Sequence, residues 1–461
     1  MQFGQSLLLA AGFTVGKGSE TVQTVRRNNL GIRPYASVLE SGFFRGAAFT
    51  YSLGRLEFTP FYSRLYQDAR TVSDFSRRDS LDQLLEDVQV KDFTSLPISG
   101  LHRTPTELQA RRNLLEQNYG ANVLYSSERR HFQVGLTVLQ TDFGLDINRE
   151  PNYYNQFEFR GSRNTNLGLS GHYNWHNFSF FSELARSRSG GWGMVGGLVA
   201  NLSKHVEFAS VGRRFDRDFH TFYGAAFGEN TRNINEQGMY WGLKLKPNLK
   251  WTLAAYYDYF EFPWLKFGVK TPSQGHEYLL RLSHQPSKQH LFYFQYRLER
   301  KGNTLAIPDE NTARLLDQTR RNYILNFDYP LGEAWSARSR VQWSSFDFDE
   351  FTLGMAMMQD LNYSSRYWKL GGRLLFFDTE DYDNRQYAYE RDVLYAFAIP
   401  AYFGRGLRYY LVLELKPLRN LTLWAKFAET IFVDRNTVGS GLDEIAGPVR
   451  SDLRVQARYT F

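Results

Sequence analysis

The residues of this 461-residue chain best placed to do chemistry are its histidines, its acidic clusters and its arginines. The nine histidines are scattered, and the pair at i,i+4, His172 and His176, falls at a strand end and turn rather than on a helix. It also lacks the glutamate that a helical two-histidine zinc site places between its ligands. Two acidic clusters, Asp347 to Glu350 (DFDE) and Asp378 to Asp383 (DTEDYD), fall in expected loops. Carboxylate oxygens at that density suit Ca2+, yet neither run has EF-hand spacing, so solvated loop charge is the plainer reading. No G-x-S-x-G elbow, P-loop or dinucleotide fingerprint occurs. Zero cysteines exclude disulfide frameworks, thiolate metal sites and cysteine nucleophiles. We therefore expect no catalytic residues, no metal and no cofactor.

The arginines carry the one repeated signal. Arg281, Arg297, Arg454 and Arg458 each fall on the polar side of a strongly alternating stretch, as do Arg55, Arg213, Arg338, Arg340 and Arg373. On their own strands only Glu277, Glu299 and Asp452 stand beside the first four. Arginines of this kind line either a hydrated wall, paired with carboxylates, or a conduit for anions.

The elements that must hold them are extended strands. In the final eleven residues Leu453, Val455, Ala457, Tyr459 and Phe461 share one side, while Asp452, Arg454, Gln456, Arg458 and Thr460 share the other. Tyr409, Leu411, Leu413 and Leu415 repeat the pattern against Arg408, Glu414 and Lys416, as do Leu421, Leu423, Ala425 and Phe427. Strand after strand with aromatics on one face and Arg, Glu and Lys on the other is what lipid outside and water inside impose. Composition agrees: aromatics make up 16% of the chain, with 29 Tyr and 37 Phe, although it is hydrophilic on balance. Interfacial girdles and a polar lumen account for that mixture. The net charge of +7 is mild for the length.

The expected fold is an all-β antiparallel transmembrane barrel of about twenty strands, each roughly ten residues long. The series opens on Phe3–Val15 and includes Asn118–Ser127, Thr165–Trp175, His290–Arg300, Arg321–Tyr329, Trp335–Asp347 and Ser451–Phe461. Tight links such as Ser52–Gly54, Ser203–Lys204 and Pro417–Arg419 alternate with long ones at 67–117, 143–164, 216–235, 262–274, 301–320, 379–406 and 434–450. Short periplasmic turns and long outer loops give that alternation. In loop 67–117, Thr104-Pro105-Thr106-Glu107 reads as a capped helix start running to about Glu116, and Asp79–Val90 as a second short helix. The run Ser6–Phe13 lacks a basic flank and a cleavage site, so it reads as strand, and residues 1–461 read as one barrel domain forming the C-terminal part of a longer protein.

Six stretches carry a family resemblance: Asn29–Val38 (NLGIRPYASV), Gly42–Ala48 (GFFRGAA), Ser99–Glu107 (SGLHRTPTE), Ala226–Glu229 (AFGE) with Asn235–Gly238 (NEQG), and Phe262–Trp264 (FPW). They resemble the barrel portion of the helix-hairpin-helix domain-containing outer-membrane proteins of Bacteroidota. The N-terminal helix-hairpin-helix region of that family does not occur in these 461 residues. The resemblance implies a bacterial outer-membrane location and a link to DNA or another anionic polymer through that region. It supplies no catalytic residue.

The function expected is non-enzymatic: transport, secretion or surface assembly, porin-like in its use of a polar bore. A membrane-embedded enzyme acting on lipid or polysaccharide, and a receptor or scaffold barrel docking a periplasmic partner, are the alternatives. Leu453, Val455, Ala457, Tyr459 and Phe461 resemble the terminal strand that barrel-assembly machinery recognises. Outer-membrane lipid is then the other expected partner.

Overall fold

Period-two alternation organises the chain as the sequence implies. The computed structural model describes residues 2–3, 17–26, 29, 31–34, 42–73, 90–96, 102–306 and 313–461. About 22 strands join one large sheet, antiparallel apart from a short parallel pairing of Val90–Ser95 with Phe132–Ile147, and the sheet closes as a barrel. The strand expected at Phe3–Val15 and the helix expected at Asp79–Val90 lie almost wholly outside the described residues. Of those two segments, Phe3 pairs with Ile32, and Val90 opens a strand. Among the described residues no helix is long and apolar enough to cross a membrane, which is no argument against strands that do.

Strand Trp335–Asp347 has the bounds its alternation dictates, and most others agree to within a few residues. The departures share a cause. Strands His290–Ala306 and Ala313–Pro330 run well past the expected ends and take up most of the loop expected at 301–320. Their extensions pair by polar side chains, with Arg300 on Asp317 at 2.6 Å and Asn303 on Gln318 at 2.9 Å. Backbone pairing continues there without the apolar face that made the rest legible. Loop 67–117 is likewise shorter, since strands Leu56–Gln67 and Leu114–Ser126 pair to their ends.

The helix starts where its signals put it. Thr104 accepts from the Glu107 N–H, Glu107 accepts from the Thr104 N–H, and Pro105 follows the cap. It ends early, at Ala110 rather than near Glu116. Arg112 takes a left-handed φ of 47°, the Asn113 side chain bonds both backbone groups of Ala69, and buried Leu114 begins the next strand.

The chain divides into two compact units. One comprises Met1–Leu243, Asp258–Gly275 and Ala306–Leu315; the other comprises Lys244–Tyr257, His276–Leu305 and Leu316–Phe461. In the second, Met355 and Met357 are exposed while Ala356 and Met358 are buried with Leu375 and Phe377. Leu411, Phe427 and Leu453 are direct cross-strand neighbours and all exposed. The rings of Trp335, Tyr363 and Trp368 pack on one another at the short-turn end. In the first unit Trp175 and Phe178 do the same beside the His176 turn. An apolar outward face bounded by aromatics is what a hydrocarbon layer with two aqueous edges selects. This is a membrane-spanning β-barrel.

Candidate functional site

On the polar face of the second unit, six adjacent strands bring basic residues and their acidic partners into one band. Arg297 meets Glu277 at 2.7 Å across a strand pair. Arg338 binds Asp328 through two parallel bonds of 2.6 and 2.9 Å. Arg373 does the same to Asp360 at 2.5 and 2.8 Å, with a third bond to the Tyr389 carbonyl. Bidentate pairing of a planar guanidinium fixes each side chain in place.

Arg281 and Arg340 differ. Arg281 lies over the Tyr293 ring, 3.6 Å from its centre, and its Nε donates to Ser283 at 3.3 Å. Arg340 donates to the Tyr293 hydroxyl and to Asn326, each at 2.9 Å. Among the described residues no carboxylate pairs with either. Two like charges therefore share one tyrosine.

The band continues under a loop. Residues 380–404 fold onto the polar face, where Ala388 and Tyr402 pack against Ala356, Met358, Leu375 and Phe377. Two loop acids do the anchoring. Glu390 takes two bonds from Arg408, at 2.6 and 2.9 Å, one from the Tyr402 hydroxyl at 2.7 Å, and Lys426 at 3.2 Å. Asp392 meets Lys426 at 2.9 Å and Arg454 at 2.7 Å. Burial by itself raises the Glu390 carboxyl; the hydrogen bond and charge of Arg408, with Tyr402 and Lys426, outweigh it and hold the group at about 2. The anchor therefore stays ionised far below neutral pH.

Beside this anchor lies a cavity of about 450 Å3. Its ionisable lining is Arg408, Lys426, Arg435, Arg450 and Arg454 against Glu390 and Asp452. Arg450 has no carboxylate partner among the described residues. Lys426 and Arg454 share Asp392, Arg435 pairs with Asp434 and Arg408 with Glu390, so Arg450 is the cation best placed there to hold an anion.

The four arginines singled out in the sequence thus fall into two kinds. Arg297 and Arg454 are ion-paired, to Glu277 and Asp392. Arg281 stacks on Tyr293, and Arg458 lies over the Trp424 ring at 5.6 Å. Sequence reasoning missed Glu390 and Asp392, because a loop acid's partner is set by where the loop folds. It also missed Arg340's role beside Arg281, which only the register of the intervening strands reveals. The acidic clusters serve the loops: Asp378 pairs with Arg405, and Asp381 accepts from Thr352. Among the described residues no group of His, Asp and Glu is arranged to hold a metal ion. His172 takes a hydrogen bond from Arg26 at 2.9 Å and sits 3.0 Å from the Ser179 hydroxyl.

The first unit has a buried charge cluster of its own. Arg213 binds Asp258 at 2.7 and 3.1 Å and Glu236 at 2.6 Å, and all three side chains are sealed from solvent. Glu236 also accepts the N–H groups of Glu229 and Asn230, and Lys17 meets Asp258 at 2.6 Å. A Cβ at Gly238 would lie 2.9 Å from the Arg213 guanidinium carbon, so glycine leaves that guanidinium its room. Loop 216–235 and segment 17–26 are tied to the sheet by this cluster and by the Tyr240 hydroxyl, which donates to the Thr21 carbonyl at 2.7 Å.

No protein-family model matches the chain, and no curated protein does. Among solved structures it is similar to the FrpB iron transporter from Neisseria meningitidis (F3-3 variant), at 10% identity and a TM-score of 0.42 over 90% of this chain and 72% of that one. The copper transporter OprC gives 11%, 0.47, 88% and 76%, and OccK8 (OprE) of Pseudomonas aeruginosa gives 11%, 0.35, 75% and 92%.

Proposed function

We propose that the chain is a non-enzymatic barrel of the bacterial outer membrane, serving transport, secretion or surface assembly with an anionic cargo. The observation that carries this reading is the charge excess on the polar face of the second unit. Arg281, Arg340 and Arg458, and Arg450 in the cavity beside Glu390, have no carboxylate partner among the described residues. Attraction of this kind is long-ranged at low salt and fades as ions screen it. The resemblance to helix-hairpin-helix outer-membrane proteins supports DNA as the polymer to try first.

Purified, folded protein in planar bilayers should pass anions in preference to cations. Arg281→Glu with Arg340→Glu should move the reversal potential toward the cation value and leave the Arg297–Glu277 and Arg454–Asp392 pairs intact. A cation-selective wild type overturns the reading. No conductance favours a receptor or scaffold barrel instead, a reading supported by segment 17–26 and loop 380–404, each held on the polar face of its own unit.

Assembly depends on the terminal strand in this account. Leu453, Val455 and Tyr459 are exposed along Val449–Tyr459, and Phe461 packs edge-on to Tyr459. Deleting Phe461 should slow insertion by barrel-assembly machinery without changing conductance of the molecules that do insert. Insertion at the wild-type rate contradicts it.

A further inference from the structure

The loops of the first unit enclose a second basic cavity, of about 480 Å3, that the transport reading does not use. Four cations line it, Arg149, Arg217, Arg232 and Lys266, against the single carboxylate of Glu158. Arg149 and Arg232 both pair with that carboxylate. Arg217 does not. Its guanidinium lies 4.0 Å from the Phe157 ring centre and 5.1 Å from that of Trp264, and among the described residues no carboxylate pairs with it.

Two aromatic rings thus flank the Arg217 guanidinium, on a residue that stays exposed. A guanidinium seated against aromatic rings and lacking an acid partner can make bidentate contact with an incoming oxyanion. The two rings meet edge to face at 86°, and Trp264 is pinned by its backbone N–H to Asn235 at 2.8 Å and its indole N–H to the Tyr153 carbonyl at 3.2 Å. The platform is rigid.

Beside Arg217 the cavity's rim carries Phe267, 84% exposed and in edge-on contact with Tyr154. One free ring beside one fixed cation matches a saturated ring that carries a carboxylate. The volume lies within the range of small-ligand sites. We infer that this loop cavity binds an acidic carbohydrate, its carboxylate on Arg217 and the C–H face of its sugar on Phe267.

The inference stands apart from the transport reading and is tested by equilibrium binding, without conductance. Calorimetry on the folded full chain should show binding of oligogalacturonate and none of a neutral maltooligosaccharide of equal length. Arg217→Ala should weaken binding roughly ten- to a hundredfold, the loss expected for a hydrogen-bonded charge. Arg217→Lys should recover little, because a point charge lacks the fork. Phe267→Ala, at a ring that is 84% exposed, should weaken binding several-fold. Absence of oligogalacturonate binding, equal affinity for the neutral sugar, unchanged affinity in Arg217→Ala, or tighter binding of oligothymidylate overturns the assignment.

Discussion

Arg213→Met should destabilise the folded protein by about 3–5 kcal/mol, the cost of removing one partner from a buried ion pair. The change takes the guanidinium from Asp258, which keeps Lys17, and from Glu236, and neither side chain has access to water. Glu236 keeps the N–H groups of Glu229 and Asn230, so the damage should fall on Asp258 and on the seating of segment 17–26. A matched triple variant, Arg213→Met with Glu236→Gln and Asp258→Asn, should regain much of the loss, because no unpaired charge is then buried. Urea unfolding in lipid vesicles reads both. A loss below about 1 kcal/mol for the single change would mean that water reaches the cluster, as it does at exposed pairs.

Leu411→Arg should cost about 2–4 kcal/mol in the same assay, as arginine at a lipid-facing midplane position does. Leu411 is 51% exposed and flanked by Phe427, itself beside Leu453, so the new charge has an apolar row around it. Gln456→Arg, on the polar face of the terminal strand next to Trp424, should cost less than about 1 kcal/mol. Equal losses at the two sites would remove the distinction between faces.

The contrast between those two positions is also what made the fold legible. Wherever lipid forces one face apolar, alternation fixed strand bounds closely, as at Trp335–Asp347. Where strands rise beyond the lipid, Arg300 with Asp317 and Asn303 with Gln318 replace the apolar face and the pattern vanishes. The helix start was readable because Thr104, Pro105 and Glu107 act locally, whereas its end depends on Asn113 reaching Ala69. The candidate site divides the same way. Polar-face arginines could be named from spacing, but their partners could not. Glu277 lies on the next strand, and Glu390 and Asp392 come from a folded loop. The resemblance motifs have structural work in the first unit: Glu236 and Gly238 lie against Arg213, Glu229 donates its N–H to Glu236, and Trp264 and Asn235 lock each other.

The central claim is that one face of these strands meets lipid and the other water. The absence of native cysteine makes the test direct. Single cysteines placed in turn at Leu453, Arg454, Val455 and Gln456, in protein folded in vesicles, can be offered a water-soluble maleimide and a membrane-partitioning one. The account predicts strict alternation: Leu453 and Val455 take the membrane-partitioning reagent and resist the soluble one, while Arg454 and Gln456 do the reverse. Uniform labelling of all four positions by the soluble reagent would contradict it.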